Sequence, residues 1–150
     1  MHTRDFIGIV TITAACVTTP AVAPHAVSGH WRVTHSMCPT ECAMSRTEAE
    51  TWRGRVATYV DTVARFAEHS CRRPRYMVAY WPASGVYGGV HLRDLGIADD
   101  SAMVVEVQCP SQPQAGADSR WRAPGGFLLV KDPDHLLMVW EGIYFELTRQ

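Results

Sequence analysis

The chain has 150 residues, of which 47% are hydrophobic and 19% are charged, and its formal net charge is -1. This balance is typical of one globular domain and gives no basic stripe large enough to bind a nucleic acid. No apolar run reaches the roughly 20 residues that a membrane-spanning helix needs.

The first 28 residues have the layout of a secretory signal. Arg4 precedes an apolar segment at residues 6–15, and small residues and prolines follow. Because the small-x-small sequence Ala-Val-Ser ends at Ser28, we expect cleavage there and a mature domain over residues 29–150. A lipoprotein signal is the alternative, since Thr-Ala-Ala precedes Cys16, where a lipid anchor would be attached. The predicted location is periplasmic or secreted, with a membrane-anchored lipoprotein as the alternative.

Four cysteines lie in the predicted mature domain, and an even number in an exported domain favours two disulfides. Three connectivities are open. We expect Cys71 to pair with Cys109, since each ends an apparent strand. We expect Cys38 to pair with Cys42 through a turn at Pro39, because a straight strand would hold them about 13 Å apart, beyond the bridging limit near 7 Å.

Short alternating segments separated by turn residues recur along the mature chain, which is the pattern of an antiparallel meander. The predicted strands lie at residues 31–35, 56–60, 63–67, 76–80, 103–107, 127–130, 135–140 and 143–147. A capping box from Ser45 to Glu48 predicts one short helix, which Gly54 ends. We therefore predict a mainly β fold, in which an antiparallel meander closes into a small barrel with one short α-helix at one end.

The two ends of the mature chain carry residues that match a known barrel family. Gly29-x-Trp31 opens the first predicted strand, and Arg149 ends the last one, which reads IYFELTR. The chain thereby resembles the lipocalin and calycin barrels, and its layout is similar to that of small lipocalin-like exported proteins of bacteria. The resemblance implies that Trp31 lies across the closed end of the barrel, with the Arg149 guanidinium over its ring. Such a contact contributes about 0.5–2 kcal/mol.

The segment HSMCPTECAM concentrates soft ligands for a metal. His35, Met37, Cys38, Cys42 and Met44 lie within it, and sulfur with imidazole suits Cu(I). The alternative is a disulfide loop with two methionines packed inward, and an oxidising compartment favours the disulfide. We therefore expect no bound metal and no other cofactor.

A glycine-rich loop at residues 83–90 carries Ser84 and Tyr87. No lysine follows its glycines, which excludes a phosphate-binding P-loop. Ser84-Gly85-x-Tyr87 is similar to the Ser-Gly-x-x-Tyr inhibitory loop of bacterial periplasmic lysozyme inhibitors, with one residue fewer before the tyrosine. The resemblance implies a loop that binds a cell-wall hydrolase, and a simple hairpin turn is the alternative.

Aromatic residues near this loop and in the second long loop are candidate binding residues. Tyr80 and Trp81 precede the glycine-rich loop, and Trp121 stands between Arg120 and Arg122 in the long irregular stretch that follows. Exposed aromatics beside arginines are typical of binding surfaces, so we expect Trp121 to be an exposed anchor.

The sequence indicates a binding protein rather than an enzyme. It has no serine or cysteine at a recognisable nucleophile turn and no HExxH pair. We predict that the open end of the barrel, at residues 80–90 and 120–124, holds a small apolar or amphipathic ligand. The alternative is an inhibitor or immunity factor that binds an envelope protein, namely a cell-wall hydrolase such as lysozyme. We expect no nucleic-acid partner and no transmembrane segment.

Overall fold

The computed structural model describes residues 23–112 and 119–150, and within these ranges nine strands form a single antiparallel sheet. The strands are β1 (Gly29–Met37), β2 (Val56–Tyr59), β3 (Val63–Phe66), β4 (His69–Arg72), β5 (Arg75–Pro82), β6 (Ser101–Gln108), β7 (Phe127–Asp132), β8 (His135–Trp140) and β9 (Ile143–Arg149). One five-residue helix, α1 (Arg46–Glu50), follows β1, and a 3₁₀ turn spans Leu92–Leu95. The predicted mainly β fold with one short helix is confirmed. Over the described ranges, no helix has the length and apolar character to cross a membrane.

The sheet follows chain order around a curled half-barrel and is interrupted at one place. Consecutive strands pair with each other except β4 and β5, and β1 pairs with β9. The two edges of the sheet are therefore β4 and β5. A disulfide from Cys71 on β4 to Cys109 crosses this gap, and the Tyr76 hydroxyl donates to the Val60 carbonyl at 2.9 Å. One end of the gap is thus held together without strand pairing.

The predicted contact between Trp31 and Arg149 is confirmed. The Arg149 guanidinium carbon lies 4.1 Å from the centroid of the Trp31 ring. The same guanidinium donates to the carbonyls of Ser28 at 2.8 Å and Ala26 at 3.3 Å. The Trp31 indole N–H donates to the Val27 carbonyl at 2.8 Å. First strand, last strand and N-terminal segment therefore meet in one hydrogen-bonded unit.

Residues 23–28 form a compact turn that packs on this end of the half-barrel. The Val27 and Ser28 amides both donate to the Pro24 carbonyl at 2.9 Å, and the Val27 side chain is fully buried. The amide of Ala23 donates to Asp61 Oδ1 at 2.7 Å. A Cβ at Gly29, where φ is +125°, would lie 3.3 Å from an Arg149 nitrogen, so glycine suits both the backbone and the close approach.

The short helix begins where the capping sequence predicts. Ser45 Oγ accepts the Glu48 amide at 3.2 Å, and the chain turns away at Gly54, where φ is +85°. The turn after α1 places Trp52 in the interior, where its ring stacks on Phe145 at 4.7 Å and contacts Phe66 at 5.3 Å. The helix therefore serves to position one aromatic ring inside the half-barrel.

Two hydrophobic clusters lie on opposite faces of strands β6–β9. Val105 and Val107 on β6 point to the interior cluster, and their neighbour Val104 points to the other. The second cluster forms where the β5–β6 connection, residues 83–100, folds over the outer face. It contains Val90, Leu92, Leu95, Ile97, Ala102, Val104, Leu129, Leu137 and Tyr144. Burial on both faces explains why β7 and β8 are almost continuously apolar.

Both predicted disulfides are present, Cys38 with Cys42 and Cys71 with Cys109. The first closes a short turn after β1, with a Cα separation of 6.1 Å. The second links residues 38 positions apart, so it restricts the unfolded chain more strongly. Because these cysteines are oxidised, neither pair offers the thiolates that a copper site would require.

Replacement of Arg149 by alanine should lower the free energy of unfolding by about 1–3 kcal/mol, because it removes the ring contact and three charge-assisted hydrogen bonds, to the carbonyls of Ala26, Ser28 and Pro133. Urea denaturation followed by circular dichroism measures this change. Arg149→Lys keeps the charge but lacks the planar fork, so it should recover only part of the loss. Equal unfolding midpoints for Arg149→Ala and the unmodified protein would contradict the proposed stabilising role.

Candidate partner-binding surface

The glycine-rich loop after β5 folds back on itself around two stacked rings. The Trp81 and Tyr87 ring centroids lie 3.9 Å apart with an interplanar angle of 6°. The Tyr87 hydroxyl donates to the Pro82 carbonyl at 3.1 Å. A Cβ at Gly85 would lie 2.5 Å from that hydroxyl oxygen, so only glycine leaves room for the ring. Tyr87 therefore fixes the shape of the loop.

Other side chains of this region are directed to solvent. Tyr80 is 63% exposed and Val86 is 57% exposed, and Ser84 is also exposed. Tyr87, by contrast, is only partly exposed against Trp81. A partner approaching this loop would meet Tyr80, Ser84 and Val86 before it reached Tyr87.

A groove of about 430 Å³ lies beside this loop, and it contains the second predicted binding segment. It is lined by Glu106, Arg120, Trp121, Arg122, Ala123, Gly126, Phe127, Val139, Trp140 and Glu141. Its walls combine aromatic rings with two arginines and two carboxylates. This composition resembles that of protein-binding hot spots, where Trp, Tyr and Arg predominate.

The prediction that Trp121 is an exposed anchor is wrong. Its side chain is 3% exposed and belongs to the interior cluster, and its amide donates to the Val107 carbonyl at 2.8 Å. Gly125 makes this possible, because a Cβ there would lie 3.3 Å from the indole and 2.8 Å from the Tyr59 hydroxyl. Within the described residues, the buried Trp121 indole N–H has no hydrogen-bond partner. Two glycines after a polar stretch thus let the chain turn an aromatic ring inward.

Phe127 connects the two predicted binding segments. Its ring lies 5.4 Å from that of Trp81, and it also lines the groove with Arg120 and Arg122. On the same face of the sheet, Glu106 pairs with Phe127 on one side and with Met77 on the other. Met77 is 53% exposed on the edge strand β5, at the far side of Glu106 from the groove. We call this region of the outer face, from Met77 through Glu106 and Phe127 to the groove, the partner surface.

Sequence reasoning missed three contributors to the partner surface. Phe127, Val139 and Trp140 belong to runs that read as core strands. The two-sided position of β7 and β8 places Phe127 and Val139 on the outer face, whereas Trp140 packs against the interior cluster and lines the groove at the end of β8. The available signal was the length of the apolar runs, since a strand with one buried face needs only alternate apolar residues.

Buried tyrosines near the gap act as neutral hydrogen-bond donors. Burial raises the pKa of Tyr59 and Tyr76 above the ordinary value for a phenol, and each hydroxyl donates to a backbone carbonyl, those of Gly125 and Val60 respectively. Nearby charge adds to the rise in the pKa of Tyr76, through Asp61. Both side chains therefore hold loops to the half-barrel and carry no charge near neutral pH.

The five soft ligands around Cys38 are not gathered into one site. Met44 packs in the interior cluster, and Met37 packs against the cluster on the outer face. In residues 23–112 and 119–150, no group of three or more His, Cys, Asp or Glu side chains is placed to hold a metal ion.

Comparison with known proteins identifies no relative of this chain. The chain matches no protein-family model, no curated protein and no solved structure. The resemblances to lipocalins and to lysozyme inhibitors rest on the residues quoted above and stay predictions.

Replacement of Gly85 by alanine should separate the Trp81 and Tyr87 rings. The backbone at Gly85 is not left-handed, so the effect should come from the clash with Tyr87 and cost about 1–3 kcal/mol. Near-ultraviolet circular dichroism reports the loss of ring stacking. Ser84→Ala, at an exposed neighbouring position, is the control and should leave the spectrum unchanged. The packing argument fails if Gly85→Ala gives the same spectrum as Ser84→Ala.

Proposed function

We propose that this protein is an exported, non-enzymatic module that binds a protein partner in the cell envelope, as an inhibitor or immunity factor against a cell-wall hydrolase. The observation that carries the proposal is the exposure of two apolar side chains, Tyr80 at the end of the edge strand and Val86 on the loop that follows it.

The filled interior supports a protein partner over an enclosed small ligand. Trp52 contacts both Phe66 and Phe145 inside the half-barrel, and the two phenylalanines are fully buried. Tyr59 and Leu128 belong to the same cluster and are also fully buried. A small apolar or amphipathic ligand would instead have to bind the surface groove, where carboxylates and arginines share the lining.

The exposed apolar residues support a protein partner directly. Tyr80 and Val86 lie within one connected segment, and Trp81 and Tyr87 fix the backbone between them. A rigid loop loses little conformational entropy when it binds, so exposed side chains on it contribute more of their contact energy. Large exposed apolar side chains grouped in this way are typical of interaction sites.

The loop also supports the choice of a hydrolase. Ser84 and Tyr87 match part of the inhibitory loop of periplasmic lysozyme inhibitors, and the loop follows the last residue of β5 directly. An exposed side chain on a rigid loop suits contact with the substrate cleft of a peptidoglycan hydrolase. Because Tyr87 is folded back on Trp81, the exposed Val86 takes the place of the tyrosine in this proposal.

Tyr80→Ala and Val86→Ala should each weaken inhibition of the target hydrolase, Tyr80→Ala by about tenfold or more. The measurement is lysis of a peptidoglycan suspension by purified lysozymes of different types and bacterial amidases, each titrated with this protein. Val56→Ala is the matched control, because Val56 is 39% exposed on β2, away from the loop, and should leave inhibition unchanged.

Two results would overturn this function. If every hydrolase lyses peptidoglycan at an undiminished rate in the presence of excess protein, the inhibitor hypothesis is wrong. A small apolar molecule retained in native mass spectrometry, with its retention lost in Trp140→Ala, would favour the ligand-carrier hypothesis instead, because Trp140 lines the groove.

The N-terminal turn, residues 23–28, indicates where the chain would be cleaved during export. Cleavage after Ser28 would remove the carbonyls that accept hydrogen bonds from Trp31 and Arg149, together with the buried Val27 side chain. We therefore propose that processing falls before Ala23 and that the turn stays in the mature protein. The lipid anchor at Cys16 satisfies this requirement, since it keeps every residue from Cys16 onwards.

The intact mass of the exported protein tests this proposal. After expression of the full chain in a bacterium with a functional export system, we expect a mass that includes residues 23–28. A lipid-modified mass that disappears in Cys16→Ser would assign the anchor. A mass corresponding to a chain that begins at Gly29 would contradict retention of the turn.

A further inference from the structure

A hollow of about 500 Å³ lies at the end of the β4–β5 gap that the Cys71–Cys109 disulfide closes. It is separate from the partner surface. Arg72, Arg73 and Arg75 line it together, from the connection that joins the two edge strands. Pro110 and Ser111, just after the Cys71–Cys109 disulfide, form the other side.

The charges around this hollow are unbalanced. Three guanidinium groups face one carboxylate, that of Asp61, and Asp61 already accepts the Ala23 amide at 2.7 Å. Among the residues that the structure describes, the side chains of Arg72, Arg73 and Arg75 make no hydrogen bond or ion pair with protein groups. Three positive charges that line one hollow repel one another, and a bound anion would offset this repulsion.

The backbone that carries these arginines is fixed. Arg73 has a left-handed backbone, with φ of +50°, and its amide donates to the Thr62 carbonyl at 2.9 Å. This conformation is costly for a residue with a side chain and unusual before a proline. Ser111 Oγ donates to the Arg72 carbonyl at 3.0 Å and joins the two sides of the hollow. Strained backbone that is held from several sides is frequent at binding sites.

We propose that this hollow is a binding site for a phosphate group. Guanidinium groups match the oxygens of a phosphate with two parallel hydrogen bonds each, and three of them offer more donors than a single phosphate can use. The hollow, of about 500 Å³, has room for one phosphate with a small attached group. A phosphorylated metabolite and the phosphate of an anionic lipid headgroup share this chemistry.

Titration of the intact, disulfide-bonded protein with inorganic phosphate tests the site, with amide chemical shifts as the readout. We expect saturable shifts centred on the amides of Arg72, Arg73, Arg75 and Ser111. The double variant Arg73→Gln with Arg75→Gln should weaken phosphate binding by about tenfold or more. Added sodium chloride should weaken binding by the unmodified protein, because the site is exposed and electrostatic.

A matched control separates the site from net charge. Arg46→Gln with Arg93→Gln removes the same charge from two exposed positions elsewhere, and binding should stay within about twofold. Circular dichroism of each variant verifies that it is folded. Equal loss of affinity in both double variants would overturn the site, since it would show an effect of overall charge.

Vesicles distinguish the two sources of phosphate. Binding to mixed phosphatidylglycerol and phosphatidylcholine vesicles, lost in the Arg73 and Arg75 variant and absent with phosphatidylcholine alone, would assign a lipid headgroup. Saturable binding of inorganic phosphate without vesicle binding would assign a soluble phosphate compound. If the protein binds neither inorganic phosphate nor the vesicles, the proposal is overturned. These results are independent of the hydrolase assay, because that assay depends on Tyr80 and Val86 near the other end of β5.

Discussion

The fold depends on the meeting of its two ends. Trp31 near the start of β1 pairs in register with Arg149 at the end of β9, and the guanidinium covers the indole ring. Because β1 lies between β2 and β9, this pairing joins the β2–β4 part of the sheet to the β5–β9 part. A sheet of this kind cannot be completed until the last strand is available, because its central contact joins the first strand to the last. The N-terminal turn adds the carbonyls that fix the arginine.

The sequence predicted features that are marked by recognisable residue types or motifs. It missed features that depend on how the backbone turns at a single residue. The helix cap at Ser45 follows from residue types three positions apart, and the stack of Trp31 with Arg149 was implied by the resemblance to the lipocalin barrels; the structure contains both. The β3–β4 hairpin was missed, because its two-residue loop begins at Ala67, with φ of +50°, and contains no glycine, proline or asparagine. Trp121 was misplaced for the converse reason, since glycines after a polar loop allowed it to turn inward.

The gap between β4 and β5 organises both proposed sites. It leaves β5 as an edge strand, which brings Tyr80 into solvent and places the apolar partner surface at a boundary of the sheet. At its other end the disulfide and the Tyr76 hydrogen bond hold the two edges together, and the arginines of the connection surround the hollow there. A closed barrel would have paired β4 with β5 and left no edge strand. We therefore propose binding at two surfaces beside an interrupted wall, and the ligand at an open barrel end stays a prediction.

The second hydrophobic cluster has a consequence for how this chain can change over evolutionary time. Strands β2–β4 carry the interior cluster on one face only, whereas β6–β9 are covered on both faces in their central part. A substitution on the outer face of β3, at Arg65 for example, meets only solvent. One at Leu129 or Leu137 must still fit beneath the β5–β6 connection. We therefore expect divergence to accumulate in the first half of the domain, so that distant relatives would be recognised by the last third of the chain.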